Sequence, residues 1–131
     1  MTRFLTLSIL LTGLAAPALA QDRTFACTMT EACRTDGGNC QPEDLTYNFT
    51  LNPTTGAGEM EQREGNFFDG HVYDSDGALH FLFVNAAGAE LATISEEGPI
   101  VFTGNMAVGR DMLHYRLNGT CRETTGGAGR K

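Results

Sequence analysis

Six glycines in the second half of the chain, Gly65, Gly77, Gly88, Gly98, Gly109 and Gly119, recur every ten to twelve residues. Between them lie short runs that are apolar or that alternate apolar with polar residues. Turn-forming residues at that interval, separating strand-like runs, point to an antiparallel meander folded as a sandwich or a barrel. No convincing amphipathic helix interrupts the pattern after residue 20.

Reading each run by period two gives eight candidate strands. The first two are Thr24 to Cys33 and Leu45 to Leu51, where Leu45, Tyr47, Phe49 and Leu51 alternate with Thr46, Asn48 and Thr50. Asn52-Pro53-Thr54-Thr55-Gly56 makes a turn into a polar strand from Ala57 to Glu64, and Phe67 to Asp74 follows. Asp74-Ser75-Asp76-Gly77 is a hairpin signal, because an Asp-Gly pair suits type I′ geometry. The next strand carries Leu79, Phe81 and Phe83 on one face and His80, Leu82 and Val84 on the other, which predicts cover on both sides and a place at the centre of the core. Strands from Glu90 to Ser95, Ile100 to about Asn105 and Met112 to Cys121 complete the set. An even number of strands in a meander sets the last antiparallel to the first, so a closed or nearly closed small barrel is the expected fold, with a two-sheet β-sandwich as the alternative.

Four cysteines, Cys27, Cys33, Cys40 and Cys121, allow three pairings. Arg-Thr-Asp-Gly-Gly-Asn between Cys33 and Cys40 is a flexible turn that brings those two together. Cys27 shares a strand face with Phe25 and Met29, and Cys121 with Leu113, Tyr115 and Leu117, so both point into the core. The expected bridges are Cys33 with Cys40 and Cys27 with Cys121, the second pinning the seam between first and last strands. Intervals of five, six and eighty residues between cysteines do not match a zinc site, and no metal is expected on that ground.

Disulfides imply an oxidising compartment, and the first twenty residues agree. Arg3 is a short positive region, Phe4 to Ala16 an uncharged and mostly apolar run, and Ala18-Leu19-Ala20 a small-x-small cleavage pattern before Gln21. Residues 1–20 therefore read as a secretory signal peptide, 21–122 as a single β domain, and 123–131, which are Gly-rich and polar, as a disordered tail. Removing the leader takes Arg3 with it and moves the formal charge from −7 to −8. The one lysine is Lys131 at the end of the chain. Nucleic-acid binding draws its affinity from basic side chains on phosphates, so neither nucleic acid nor an anionic membrane surface is an expected partner. A cationic one is electrostatically permitted.

Catalytic signatures are sparse. The two serines beyond the leader are Ser75, in a turn, and Ser95, beside Glu96 and Glu97, and no Gly-x-Ser-x-Gly is present. Bridged cysteines leave no thiol nucleophile. Carboxylate pairs such as Glu59 with Glu61 are what 16 acidic residues produce by chance, and a chain without tryptophan lacks the usual lining of a sugar cleft. Asn48-Phe49-Thr50 and Asn118-Gly119-Thr120 match the glycosylation pattern but fall inside predicted strands. No Gly-rich phosphate loop opens a helix, and no cofactor is expected. One polar face is nameable: Asp69, His71 and Tyr73 alternate along one strand, the spacing of half a metal or acid–base site.

These observations predict a non-enzymatic binding module of the periplasm or extracellular space, monomeric, without membrane insertion after signal cleavage, recognising a protein or small ligand. Protein recognition would run through loops such as Asp36 to Gln41 and Glu61 to Asn66. The inferred architecture is similar to that of small periplasmic lysozyme inhibitors, which are disulfide-bearing barrels; the likeness is one of fold, with no motif matched residue by residue. It implies, as an alternative, inhibition of a cationic envelope hydrolase such as lysozyme. A further alternative is a small enzyme or metal-binding protein using Asp69, His71 and Tyr73.

Overall fold

The structure is a computed structural model that describes residues 20–34, 38–63 and 65–124. Apart from Ala20, the expected leader lies outside the described residues, as does the expected tail from residue 125. Eight strands follow one another: β1 (Arg23–Arg34), β2 (Gln41–Leu51), β3 (Ala57–Arg63), β4 (Asn66–Ser75), β5 (Ala78–Asn85), β6 (Gly88–Ser95), β7 (Pro99–Val108) and β8 (Asp111–Thr124). Each pairs antiparallel with the next, and β8 pairs back onto β1, so the sheet closes as a barrel rather than opening into a sandwich. Closure removes both exposed edges that an open sheet would leave.

Several strands outrun their hydrophobic pattern. β2 begins at Gln41, opposite Ala32, and β8 runs to Thr124, opposite Thr24. Glu123 and Thr124, placed in the tail by composition, are therefore barrel residues. Ladder hydrogen bonds depend on a backbone neighbour and not on side-chain polarity, so a polar segment stays strand wherever a partner runs beside it. The turns agree with their residues: Asp76 and Gly77 take φ of 50° and 78°, the positive pair that a type I′ hairpin needs.

Alternation puts one face of every strand inside. Phe49, Phe81 and Phe102 are fully buried and meet at the axis, with ring centroids 5.3 Å apart for Phe49–Phe81 and 6.3 Å for Phe49–Phe102. Such pairs contribute about 0.5–1.5 kcal/mol each beyond the area they bury. The middle of the barrel is thus filled by side chains, as an eight-stranded barrel allows. β5 corrects the expectation of cover on both sides. Leu79, Phe81 and Phe83 are buried, but Val84 on the other face is 67% exposed, because a single closed sheet has only one inside.

Both disulfides pair as the sequence implies, Cys27 with Cys121 and Cys33 with Cys40. Cys27 and Cys121 face each other across the β1–β8 seam, with Cys27 fully buried. Cys33 does not share that inner face. A register shift between Met29 and Glu31 inserts one residue of β1 relative to β8, where Met29 pairs with Gly119 but Glu31 already with Asn118. The bulge reverses the parity beyond it, turning Glu31 and Cys33 outward and Ala32 inward.

Candidate functional site

The up-and-down topology gathers side chains at two ends of the barrel. At one end lie the start of β1, the end of β8, and the β4–β5 and β6–β7 turns; together they enclose a cavity of about 280 Å³. Its floor is apolar, built by Phe25, Leu79 and Ile94, the last inward residues of their strands before the core opens. Its rim is charged, with Arg23, Asp74, Glu96 and Glu123.

Arg23 and Glu123 meet because β1 and β8 close the sheet a hundred residues apart in sequence. The guanidinium donates through Nε and Nη2 to Glu123 Oε1 and Oε2 at 2.8 and 2.9 Å, a two-point contact, and its Cζ stands 5.2 Å from the Phe25 ring centroid. The hydrogen bonds from Arg23 hold the Glu123 carboxyl below the usual carboxylate range. The same contact raises the Arg23 guanidinium, with Asp74 and Glu96 adding weaker electrostatic support. Glu96 is held over the β4–β5 turn, its backbone N–H donating to the Gly77 carbonyl at 3.0 Å. The rim thus sets three carboxylates against one guanidinium, above an apolar floor.

Nearer the other end, a row of cross-strand partners crosses the inner face: Glu90 on β6, Gly104 on β7 and Tyr115 on β8. A Cβ at position 104 would fall 2.3 Å from the Tyr115 ring, so the glycine is what lets that ring lie across β7. The Tyr115 hydroxyl then donates to Glu90, the one charged side chain among the buried residues described. Burial, followed by the hydrogen bond to Glu90, pushes the phenol well above its ordinary range, so it stays a proton donor. The ring packs against the core, and its hydroxyl gives the buried Glu90 a donor.

On the outside at this same end, beyond the β1 bulge, Glu31, Cys33 and Cys40 bring one potential ligand atom each to within 4.8 Å of one another. Cys33 is buried, Glu31 half-buried and Cys40 exposed. Asn118 Nδ2 donates to Glu31 Oε2 at 2.7 Å, and Asn118 Nδ2 and Arg116 Nη2 each stand 3.9 Å from Cys33 Sγ. The disulfide occupies both sulfurs, and a metal needs thiolates, so this trio is a ligand set only in the reduced protein.

Asp69, His71 and Tyr73 lie together on the outer face of β4, all three exposed. Their cross-strand neighbours on β5 include Leu82 opposite His71 and His80 opposite Tyr73. Alternate residues along a strand stand about 7 Å apart, and the ligand cluster found among the described residues does not include them. His80 hydrogen-bonds Thr93 at 3.1 Å, and His114 hydrogen-bonds Asn105. Of the proposed recognition loops, residues 36, 37 and 64 lie outside the described residues.

Nothing in the sequence marks the mouth as a unit. Glu123 falls in the expected tail, Asp74 opens a predicted turn and Glu96 is only a neighbour of Ser95; the predicted barrel closure alone points toward their meeting. Glu31 carried no signal, since its position beside the cysteines follows from the bulge. Comparison with protein-family models, curated proteins and solved structures returns no match.

Proposed function

We propose that this protein is a non-enzymatic binding module that receives a cationic group at the charged mouth of its barrel. The observation that carries the reading is the mouth cavity itself: an apolar floor of Phe25, Leu79 and Ile94 beneath Asp74, Glu96 and Glu123, with only Arg23 opposed to them. Drug-sized ligands occupy clefts of roughly 300–1,000 Å³. At about 280 Å³ the mouth suits a single side chain better, with an aliphatic stem on the floor and a charged head among the carboxylates. A lysine or arginine on a basic partner protein meets that description, and a net charge of −7 for the whole chain favours the encounter. Inhibition of a cationic envelope hydrolase such as lysozyme is one form this binding would take.

The test is binding of the full mature chain to immobilised lysozyme and to an unrelated basic protein, with the Asp74→Asn/Glu96→Gln variant beside the wild type. Wild-type binding that weakens at least tenfold in the variant, and weakens further with added salt, supports the mouth. Equal binding by both chains assigns recognition elsewhere. Loss of lysozyme's lytic activity on binding would select the inhibitor form.

A second reading, metal binding, is favoured by the Glu31, Cys33 and Cys40 cluster and not by the Asp69, His71 and Tyr73 face. Glu31 and the two sulfurs are within chelating distance of one another, and the chemistry of two thiolates and a carboxylate is that of a zinc-class ligand set.

A further inference from the structure

The two disulfides differ in ways that bear on their chemistry. Cys27 is fully buried, and its bridge spans 94 residues of chain; Cys40 is exposed, and the bridge to Cys33 spans 7. A short loop gains less from closure than a long one, and thiol–disulfide exchange requires an accessible sulfur. The Cys33–Cys40 bond is therefore the one open to reduction. The side chains around it include donors beside Cys33 and a carboxylate beside both sulfurs. Arg116 Nη2 and Asn118 Nδ2 stand 3.9 Å from Cys33 Sγ, where a thiolate would be released, and Glu31 is held beside both sulfurs by its 2.7 Å hydrogen bond from Asn118.

We propose that the Cys33–Cys40 disulfide is a redox gate on a metal site: reduced by a dithiol, the chain binds one thiophilic divalent cation of the zinc class through Glu31, Cys33 and Cys40. The proposal rests on the metal-binding reading and deepens it by making binding conditional on reduction.

A thiolate of the dithiol reductant attacks exposed Cys40 Sγ and forms a mixed disulfide, while the Cys33–Cys40 bond breaks and its electron pair leaves on Cys33 Sγ beside the Arg116 guanidinium. The reductant's second thiol then attacks its own sulfur in the mixed disulfide, closing a cyclic disulfide and releasing Cys40. Two electrons and two protons pass to the chain, and the reductant is oxidised. Cation binding displaces the two thiol protons to water.

Charge and reach both favour the cation. Two thiolates and the Glu31 carboxylate carry three negative charges, which a divalent cation and Arg116 together neutralise. Sulfurs on one tetrahedral zinc stand about 3.8 Å apart at zinc–sulfur distances of about 2.3 Å. On reduction the two sulfurs move apart to that spacing, and the Glu31 carboxylate already lies within 4.8 Å of both. Asn118 orients the carboxylate, the kind of support that ligands require from their neighbours.

The experiment uses the full mature chain, reduced anaerobically with dithiothreitol, freed of it by gel filtration, and titrated with Cd²⁺, whose thiolate complexes absorb in the ultraviolet. Differential alkylation and peptide mapping should find Cys33 and Cys40 labelled and Cys27 and Cys121 protected, with the strand circular dichroism unchanged. One Cd²⁺ per reduced chain, with the thiolate band, is expected; the oxidised chain should show neither. Glu31→Gln should keep the band and bind at least tenfold more weakly, and Cys33→Ser/Cys40→Ser should abolish it. No band in the reduced chain overturns metal binding and the gate together. Equal Cd²⁺ binding by oxidised and reduced chains overturns the gate alone and moves the cation to carboxylates. Labelling of all four cysteines, or loss of the strand signal on reduction, overturns selective opening.

Discussion

Replacing Tyr115 with phenylalanine removes one oxygen and leaves the ring where Gly104 makes room for it. The damage falls on Glu90, 4% exposed, whose carboxylate loses the hydroxyl that donates to it. A hydrogen bond to a charged group contributes about 1.5–3 kcal/mol, and stranding a buried carboxylate costs a similar amount. Tyr115 is only half-buried, so water enters to soften the loss, and roughly 2 kcal/mol is the expected destabilisation. For a domain of this size that corresponds to a fall of about 10 °C in Tm. Removing both partners should behave differently. Tyr115→Phe with Glu90→Leu replaces a polar pair by apolar groups, a change that is often close to neutral. Thermal and urea unfolding of the wild type, both single variants and the double variant forms a cycle, in which a coupling of about 1–2 kcal/mol is expected.

The phenol also makes a pH signature. Because its folded pKa is raised, its stabilisation is whole below the unfolded tyrosine value of about 10 and is lost as pH rises through the folded value. Unfolding curves above pH 10 should therefore slope less steeply with pH in Tyr115→Phe. A Tyr115→Phe variant within 0.5 kcal/mol of the wild type, or single effects that simply add, would show that Glu90 does not depend on this hydroxyl.

Other consequences follow from the closure of the barrel. Cys27→Ala/Cys121→Ala opens a 94-residue loop and should lower stability by about 4–5 kcal/mol, against about 2–3 for Cys33→Ala/Cys40→Ala, on the chain-entropy account; urea midpoints that rank the other way would refute it. Gly104→Ala should destabilise by at least about 2 kcal/mol, because its Cβ displaces the Tyr115 ring; near-UV circular dichroism should report the displaced aromatic, and a wild-type spectrum and Tm would contradict the packing. Glu123, with its folded pKa depressed, contributes stability that is present above the unfolded value of about 4.3 and lost as pH falls through the folded value. Since 41% and 46% of the Arg23 and Glu123 side chains are exposed, Glu123→Gln should cost no more than about 0.5 kcal/mol at pH 7, an effect that salt should erase. A larger, salt-independent loss would mean that the pair is better shielded than its exposure implies.

What could be read from the sequence was local. Alternation in Leu45 to Leu51 marks an inner and an outer face, Asp76-Gly77 marks a hairpin, and the face shared by Cys27, Phe25 and Met29 selects its partner among the cysteines. Each depends on residues a few positions apart, where φ preferences and the period of two act without knowledge of the neighbouring strand. An even strand count then made closure available, and the structure takes it.

Lateral register was not legible, and the candidate sites depend on it. By simple parity Cys33 belongs with Cys27; the bulge after Met29 turns it outward beside Glu31 and Arg116. The Glu90–Gly104–Tyr115 row crosses three strands, and the mouth gathers Arg23 and Glu123, which only the β1–β8 closure unites, with Asp74 and Glu96 from two mid-chain turns. A strand's own residues decide which side chains share a face, but the ladder hydrogen bonds to its neighbours decide which of those faces meet. That second choice is made by the whole barrel at once, and so the sequence determined the elements and the cross-links while the tertiary structure decided the chemistry at each end.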